Sequence, residues 1–197
     1  AKTRLAAGIG DEAAAGVYAR LLYELLLALA PRAAIWNLEL ATAEVEDVAY
    51  FQRAFPEFHV TPQARGDLGR RMAAQLGRHL AAGAPAAIVV GSDIPDLGPG
   101  IIARAVGALA GAPLVLGPAA DGGFYLIGVA SSLVPTLPPG AHEDLLPDRL
   151  HHALLADVDW SGGRELASVL DAARKLGLTP PLLPTLADLD RAADLPD

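Results

Sequence analysis

Apolar positions recur at helical and strand spacing along almost the whole chain, and the two spacings alternate. Val17, Leu21, Leu25 and Leu29 repeat every fourth residue, which is one face of a helix. Asp11 and Glu12 stand where the first turn of that helix favours acids, and Pro31 ends it. Residues 33–40 read as a strand, 44–55 as a helix and 58–61 as extended chain. Asp67 is placed to cap a helix whose inward stripe is Leu68, Met72, Leu76 and Leu80, and Gly83-Ala84-Pro85 breaks that helix. The run AAIVV at 86–90 is apolar without alternation, the pattern of a strand covered on both faces. It leads into GSDIPDL at 91–97. Pro99 suits the first turn of the next helix, with Ile101, Ile102, Ala105, Val106 and Leu109 inward.

Residues 114–116 and 124–129 read as further strands, and 131–150 as an irregular, proline-rich stretch. A helix over 163–176 stops at Gly177, a good residue for the left-handed position after a helix. Extended Leu182-Leu183 leads to Leu186-Ala187-Asp188-Leu189-Asp190 and a short terminal helix. This alternation predicts an α/β fold with a doubly wound, mostly parallel sheet flanked by helices. No repeat or linker divides it, so residues 1–197 are expected to form a single domain. In such sheets ligands sit beyond the carboxyl ends of the strands. Asp93 and Asp121 both follow apolar strands and are expected on that edge.

Composition narrows the function. A chain of 197 residues buries roughly 70% of its unfolded surface. It has no cysteine, which excludes disulfides and thiolate–zinc sites and suits a reducing cytoplasm. The net charge of −8 argues against nucleic acid as a partner, because phosphate neutralisation needs a basic face. No charged-then-apolar leader opens the sequence, and no uninterrupted apolar run approaches ~20 residues. The greasiest stretch, 21–30, is broken by Glu24. A cytoplasmic protein without a membrane span is expected.

Three carboxylate features could carry chemistry. Asp93, beside small Gly91 and Ser92 and before Pro95, reads as a ligand-facing carboxylate or as a turn residue. Asp121-Gly122-Gly123 reads as a tight hairpin turn, or as a place where a ligand nears the backbone. Asp188 and Asp190 alternate along an extended segment, so both can face one site. Two such carboxylates about 4 Å apart would repel by about 4 kcal/mol at an effective dielectric near 20. A shared proton or a cation relieves that repulsion. With oxygen ligands alone, Mg²⁺ or Mn²⁺ is the natural cation. Lys2 and Arg4 could hold phosphates or lie on an exposed terminus. Residues 63–69, QARGDLG, form a turn into a helix that could receive a base or ribose, or serve as an ordinary cap. His151-His152 and His142-Glu143-Asp144 read as surface groups.

Taken together, GSDIPDL, GPAADGGFYLIGV, DWS and LADLDRAADL resemble an uncharacterised bacterial glycosyltransferase-like family of the radical-SAM-associated transferase type. That family is similar to the nucleotide-diphospho-sugar transferases of GT-A fold. KTRL at the start and QARGDLGRRM before the central strand match it too, so the resemblance runs from Lys2 to Leu195. It implies a metal on Asp93 and Asp190, with Asp188 nearby. It implies nucleotide phosphates at Lys2 and Arg4, nucleotide contact at Ser92, and the base or ribose at Gly66 and Asp67. Asp121 would be the general base, with Gly122, Gly123, Trp160 and Ser161 lining the acceptor side. The family's first strand would precede residue 1.

Two departures stand out. The glycosyltransferase D-x-D is replaced by Asp93-x-x-Asp96, which is as close to the D-x-P-x-L of nucleotidyltransferases. Arg191-Ala192-Ala193 stands where the superfamily segment V-D-T-P-E-D-L has T-P-E. Three functions follow as expectations. One is a metal-dependent glycosyltransferase joining a nucleotide sugar to a small-molecule acceptor. Another is a nucleotidyltransferase acting on a nucleoside triphosphate and a phosphorylated acceptor. The last is a non-catalytic nucleotide-binding domain.

Overall fold

The computed structural model describes residues 3–138, 145–160 and 162–195, with side chains from Leu5 onward. They gather into two compact units. The first comprises Ala1–Pro62, Gly91–Gly100 and Leu186–Asp197; the second comprises Gln63–Val90 and Ile101–Thr185.

In the first unit, α1 (Thr3–Ile9) precedes α2 (Asp11–Leu29), joined at Gly10 with φ +87°. The predicted α2 is found with its acidic first turn, whereas the sequence pattern gave no sign of α1. Pro31 lies in a 3-10 turn, Ala30–Arg32, that ends the helix. Asp11–Arg32 forms a 22-residue helical stretch long and apolar enough to cross a membrane by length and composition. The expectation from uninterrupted runs missed it, because Arg20 and Glu24 interrupt the apolar residues while the average stays high. Ala14, Leu25, Leu26 and Leu29 of this helix are buried.

The strand expected at 33–40 is shorter and later. Only β1 (Glu39–Thr42) has a partner, the parallel β2 (His59–Pro62), in register from Glu39 with His59 to Thr42 with Pro62. Residues 33–36 instead continue as turns, and Ile35 is 74% exposed. A 3-10 turn, Val45–Asp47, and α3 (Val48–Ala54) link the two strands. Tyr23 and Phe58 both pack against Phe55, at ring separations of 5.1 and 6.1 Å.

The second unit holds a three-stranded sheet in the order β3 (Ala86–Val90), β5 (Phe124–Ala130), β4 (Leu114–Pro118). Central β5 is antiparallel to both neighbours. The described strands thus pair in both senses, parallel in the first unit and antiparallel here, and the expected parallel, doubly wound sheet is not what they form. The reason is local. Only residues 119–123 separate β4 from β5, and a parallel crossover needs a dozen residues or more. Ala87, Leu114, Leu116, Ile127 and Val129 form the sheet's contribution to the core.

Helix α4 (Leu68–Ala81) presents Met72, Leu76 and Leu80 to that core, but Leu68 is 50% exposed and Gly69 is buried in its place. Helix α5 (Pro99–Leu109) buries Ile102, Ala105 and Leu109, whereas Val106 faces outward. The stretch expected to be irregular contains a 3-10 helix, Ser131–Thr136, and a short α6 (Leu146–Leu150). Helix α7 (Glu165–Lys175) runs to Gly177 at φ +73°. Leu182 bridges Leu116 in parallel, as the extended reading of 182–183 requires.

Candidate functional site

The candidate residues fall in both units. In the first, the loop after β3 is pinned by buried Ile94 and Leu97, closed by a Leu97 N–H donating to the Ile94 carbonyl at 3.2 Å. Ser92 and Asp93 are left half-buried. The Tyr18 hydroxyl of α2 hydrogen-bonds the Ser92 hydroxyl at 2.8 Å. The Leu189 N–H donates to the Asp93 carbonyl at 3.2 Å, so the segments carrying Asp93 and Asp188–Asp190 are tied directly. Leu189 is 5% exposed and packs with Leu5 and Ala14. Asp188 and Asp190 flank Leu189 and are half-buried. The Asp190 and Arg191 N–H groups both donate to Asp194 Oδ2, at 3.0 and 2.7 Å. Arg4 lies in α1 next to buried Leu5; Lys2 lies outside the described residues.

In the second unit, Asp121-Gly122-Gly123 occupies the β4–β5 hairpin. The Ala119 N–H donates to the Gly123 carbonyl at 3.0 Å, and the Gly123 N–H donates to Asp121 Oδ1 at 2.9 Å. Gly122 has φ +94°, and a Cβ added there would lie 2.1 Å from the Gly163 carbonyl oxygen. The Leu166 N–H donates to the Gly122 carbonyl at 3.2 Å, which fastens the hairpin to the start of α7. The turn is thus a hairpin and also a close approach of two backbones. Phe124 and Trp160 meet edge to face at 6.1 Å. Trp160 lies over Gly69, where an added Cβ would come within 2.9 Å of its ring. Ser161 lies outside the described residues.

Trp160 therefore reaches the first turn of α4, whose cap is Asp67. The Arg70 N–H donates to Asp67 Oδ1 at 2.8 Å, and Arg71 Nε donates to the Gly66 carbonyl at 2.9 Å. His151, expected on the surface, is instead buried at 9% exposure, with Nε2 3.7 Å from Asp67 Oδ1 and without a hydrogen-bond partner. Burial, then the Arg70 charge, push its pKa below the ordinary imidazole value; Asp67 and Asp148 oppose them without prevailing. His142 lies outside the described residues. Sequence reasoning also missed Tyr18, Asp194 and Glu165. Tyr18 gave no signal beyond a helical position, whereas Asp194 lies at the end of the motif LADLDRAADL. Glu165 accepts from the Gly163 N–H at 3.3 Å, while its other oxygen is buried without a partner.

Among the described residues, no group of three or more His, Asp or Glu side chains is arranged to hold a metal. The carboxylates of Asp93, Asp188 and Asp190 have the right chemistry for Mg²⁺ or Mn²⁺. Such ions are commonly held by one or two carboxylates, with phosphates and water completing the shell.

Residues 26–162 match the model of a family described as "Uncharacterized protein conserved in bacteria (DUF2064)". The chain belongs to the DUF2064 family. The DUF2064 chain is also similar to a crystal structure from Desulfovibrio desulfuricans G20, described as a "putative nucleotide-diphospho-sugar transferase". The two are 25% identical with a TM-score of 0.77, over 96% of this chain and 76% of that one. No curated protein matches the DUF2064 chain. The likeness supports an α/β fold of the nucleotide-diphospho-sugar transferase superfamily and, coarsely, a transferase.

Proposed function

We propose that this DUF2064 protein is a metal-dependent glycosyltransferase that uses a nucleotide-sugar donor and a small-molecule acceptor. The observation that carries the reading is the likeness to the D. desulfuricans protein over 96% of the chain. In this reading Asp93 and Asp190, with Asp188 beside them, hold Mg²⁺ or Mn²⁺. The bound ion would neutralise charge on the departing nucleoside diphosphate. Ser92, Lys2 and Arg4 bind and orient the phosphates, and Gly66 and Asp67 lie by the base or ribose. Asp121 takes the proton from the acceptor hydroxyl as it attacks the sugar carbon. Gly122, Gly123, Trp160 and Ser161 shape the acceptor side. The same reading includes a cytoplasmic location and an association with radical-SAM proteins.

Nucleotide-sugar consumption in Mg²⁺ or Mn²⁺, followed as nucleoside diphosphate release, tests the proposal. Asp121→Asn should slow release by roughly 10²–10⁴-fold. Failure to bind or consume UDP, GDP or CDP sugars with either ion would refute it. The Asp93-x-x-Asp96 spacing favours a second reading, a nucleotidyltransferase. That reading predicts pyrophosphate release from a nucleoside triphosphate and an acceptor phosphate, and it fails if all triphosphates are inert. The altered Arg191-Ala192-Ala193 motivates a non-catalytic nucleotide-binding domain, for which Asp93→Asn would leave the biological activity intact.

A further inference from the structure

We infer that Asp194 is a positioning residue, which fixes the main chain at Asp190 and so aims the Asp188–Asp190 carboxylate pair. This rests on the reading of Asp190 as a metal-side carboxylate. Three consecutive backbone N–H groups are committed here. Leu189 donates to the Asp93 carbonyl at 3.2 Å. Asp190 and Arg191 both donate to Asp194 Oδ2, at 3.0 and 2.7 Å. With successive peptide groups anchored, the backbone at Asp190 has little freedom to rotate.

Asp194 is itself held by the chain's return. It closes the 3-10 turn Ala192–Asp194, with its N–H on the Arg191 carbonyl at 3.0 Å. That turn sits against α1 at Gly8, where an added Cβ would lie 2.7 Å from the Ala192 Cβ. Leu195 then joins the cluster of Leu5, Ala14 and Leu189. Asp194 is exposed, so it is not there to fill a core.

Because one oxygen receives both N–H groups, the role needs an acceptor atom and no negative charge. An asparagine carries one carbonyl oxygen with two lone pairs and can replace it. A direct metal ligand could not be replaced in this way. The test is calorimetric titration with UDP, GDP and CDP, with and without Mn²⁺, on wild type, Asp93→Asn, Asp190→Asn, Asp194→Ala and Asp194→Asn.

Asp194→Ala should weaken the Mn²⁺-dependent affinity by about 10–100-fold, the usual effect of losing a group that orients a ligand residue. Metal-free nucleotide affinity and circular dichroism should be unchanged, and Asp194→Asn should restore the Mn²⁺-dependent affinity. Wild-type affinity in Asp194→Ala, beside a loss in Asp190→Asn, would overturn the positioning role alone. An equal loss in both Asp194 variants would overturn it in favour of a charge-based role. Unchanged Mn²⁺ dependence in Asp93→Asn and Asp190→Asn, or no Mn²⁺-dependent binding by wild type, would remove the metal reading and this inference with it.

Discussion

Gly122 shows how tightly a single position can be specified. Its φ of +94° disfavours any side chain, and its missing Cβ makes room for the Gly163 carbonyl. Gly122→Ala should destabilise the protein by at least about 1–3 kcal/mol, read as a lower urea midpoint. An unchanged midpoint would contradict the close approach. The sequence signalled a turn here through the Gly-Gly pair, but the partner backbone, at Gly163, left no local mark. His151 was hidden for a similar reason. Its neighbours Asp67 and Arg70 are distant in sequence, so only a fold could reveal the burial.

That burial has a consequence for pH. The folded protein holds His151 neutral more firmly than the unfolded chain does, because burial and Arg70 lower its pKa from 6.5. The unfolded chain therefore takes up the proton first on acidification. The His151 contribution should lower stability as pH falls below about 6.5, levelling off below the folded-state value. Urea midpoints between about pH 7.5 and pH 5 check this, since His151→Leu should remove that part of the decline. Identical profiles for wild type and variant would contradict it.

Elements were legible where their signals were local. The α4 start was readable because an N-cap Asp acts within its own turn, and Asp67 does accept the Arg70 N–H. Asp67→Ala should cost about 1 kcal/mol, and Asp67→Asn only a little, in equilibrium unfolding. Equal stability of Asp67→Ala and wild type would rule out a working cap. The stripe on α4 was displaced by one residue at its start. Trp160 needs the space over Gly69, and this leaves Leu68 outside. The strand at 33–40 failed because apolar character does not supply a pairing partner. Within it and just beyond, only residues 39–42 have one. The α6 turn and the 3-10 helix before it formed in a stretch whose prolines suggested irregular chain. Both accommodate proline, Pro147 in the first turn of α6 and Pro135 within the 3-10 helix.

For the whole molecule, the alternation of helical and extended spacing gave the α/β class, while sheet direction depended on connection lengths. The short 119–123 link makes β4 and β5 a hairpin, and the length of that link is legible in the residues themselves. The β3-β5-β4 order is not, because a hairpin can add its next neighbour on either of its two strands. The motif series from KTRL to LADLDRAADL pointed to the superfamily that the family match and the D. desulfuricans structure support. The carboxylates of the first unit were readable as residues. Their joining through Leu189 and Asp93 required the fold.

The proposed metal-assisted nucleotide site depends on Asp93. Its most direct test is calorimetric titration with UDP, GDP and CDP sugars in the presence and absence of Mn²⁺, on wild type and Asp93→Asn. Wild type should bind at least one donor, with binding strengthened by Mn²⁺ and lost in Asp93→Asn. Binding that ignores both the ion and the substitution would contradict it, as would no binding to any of the donors.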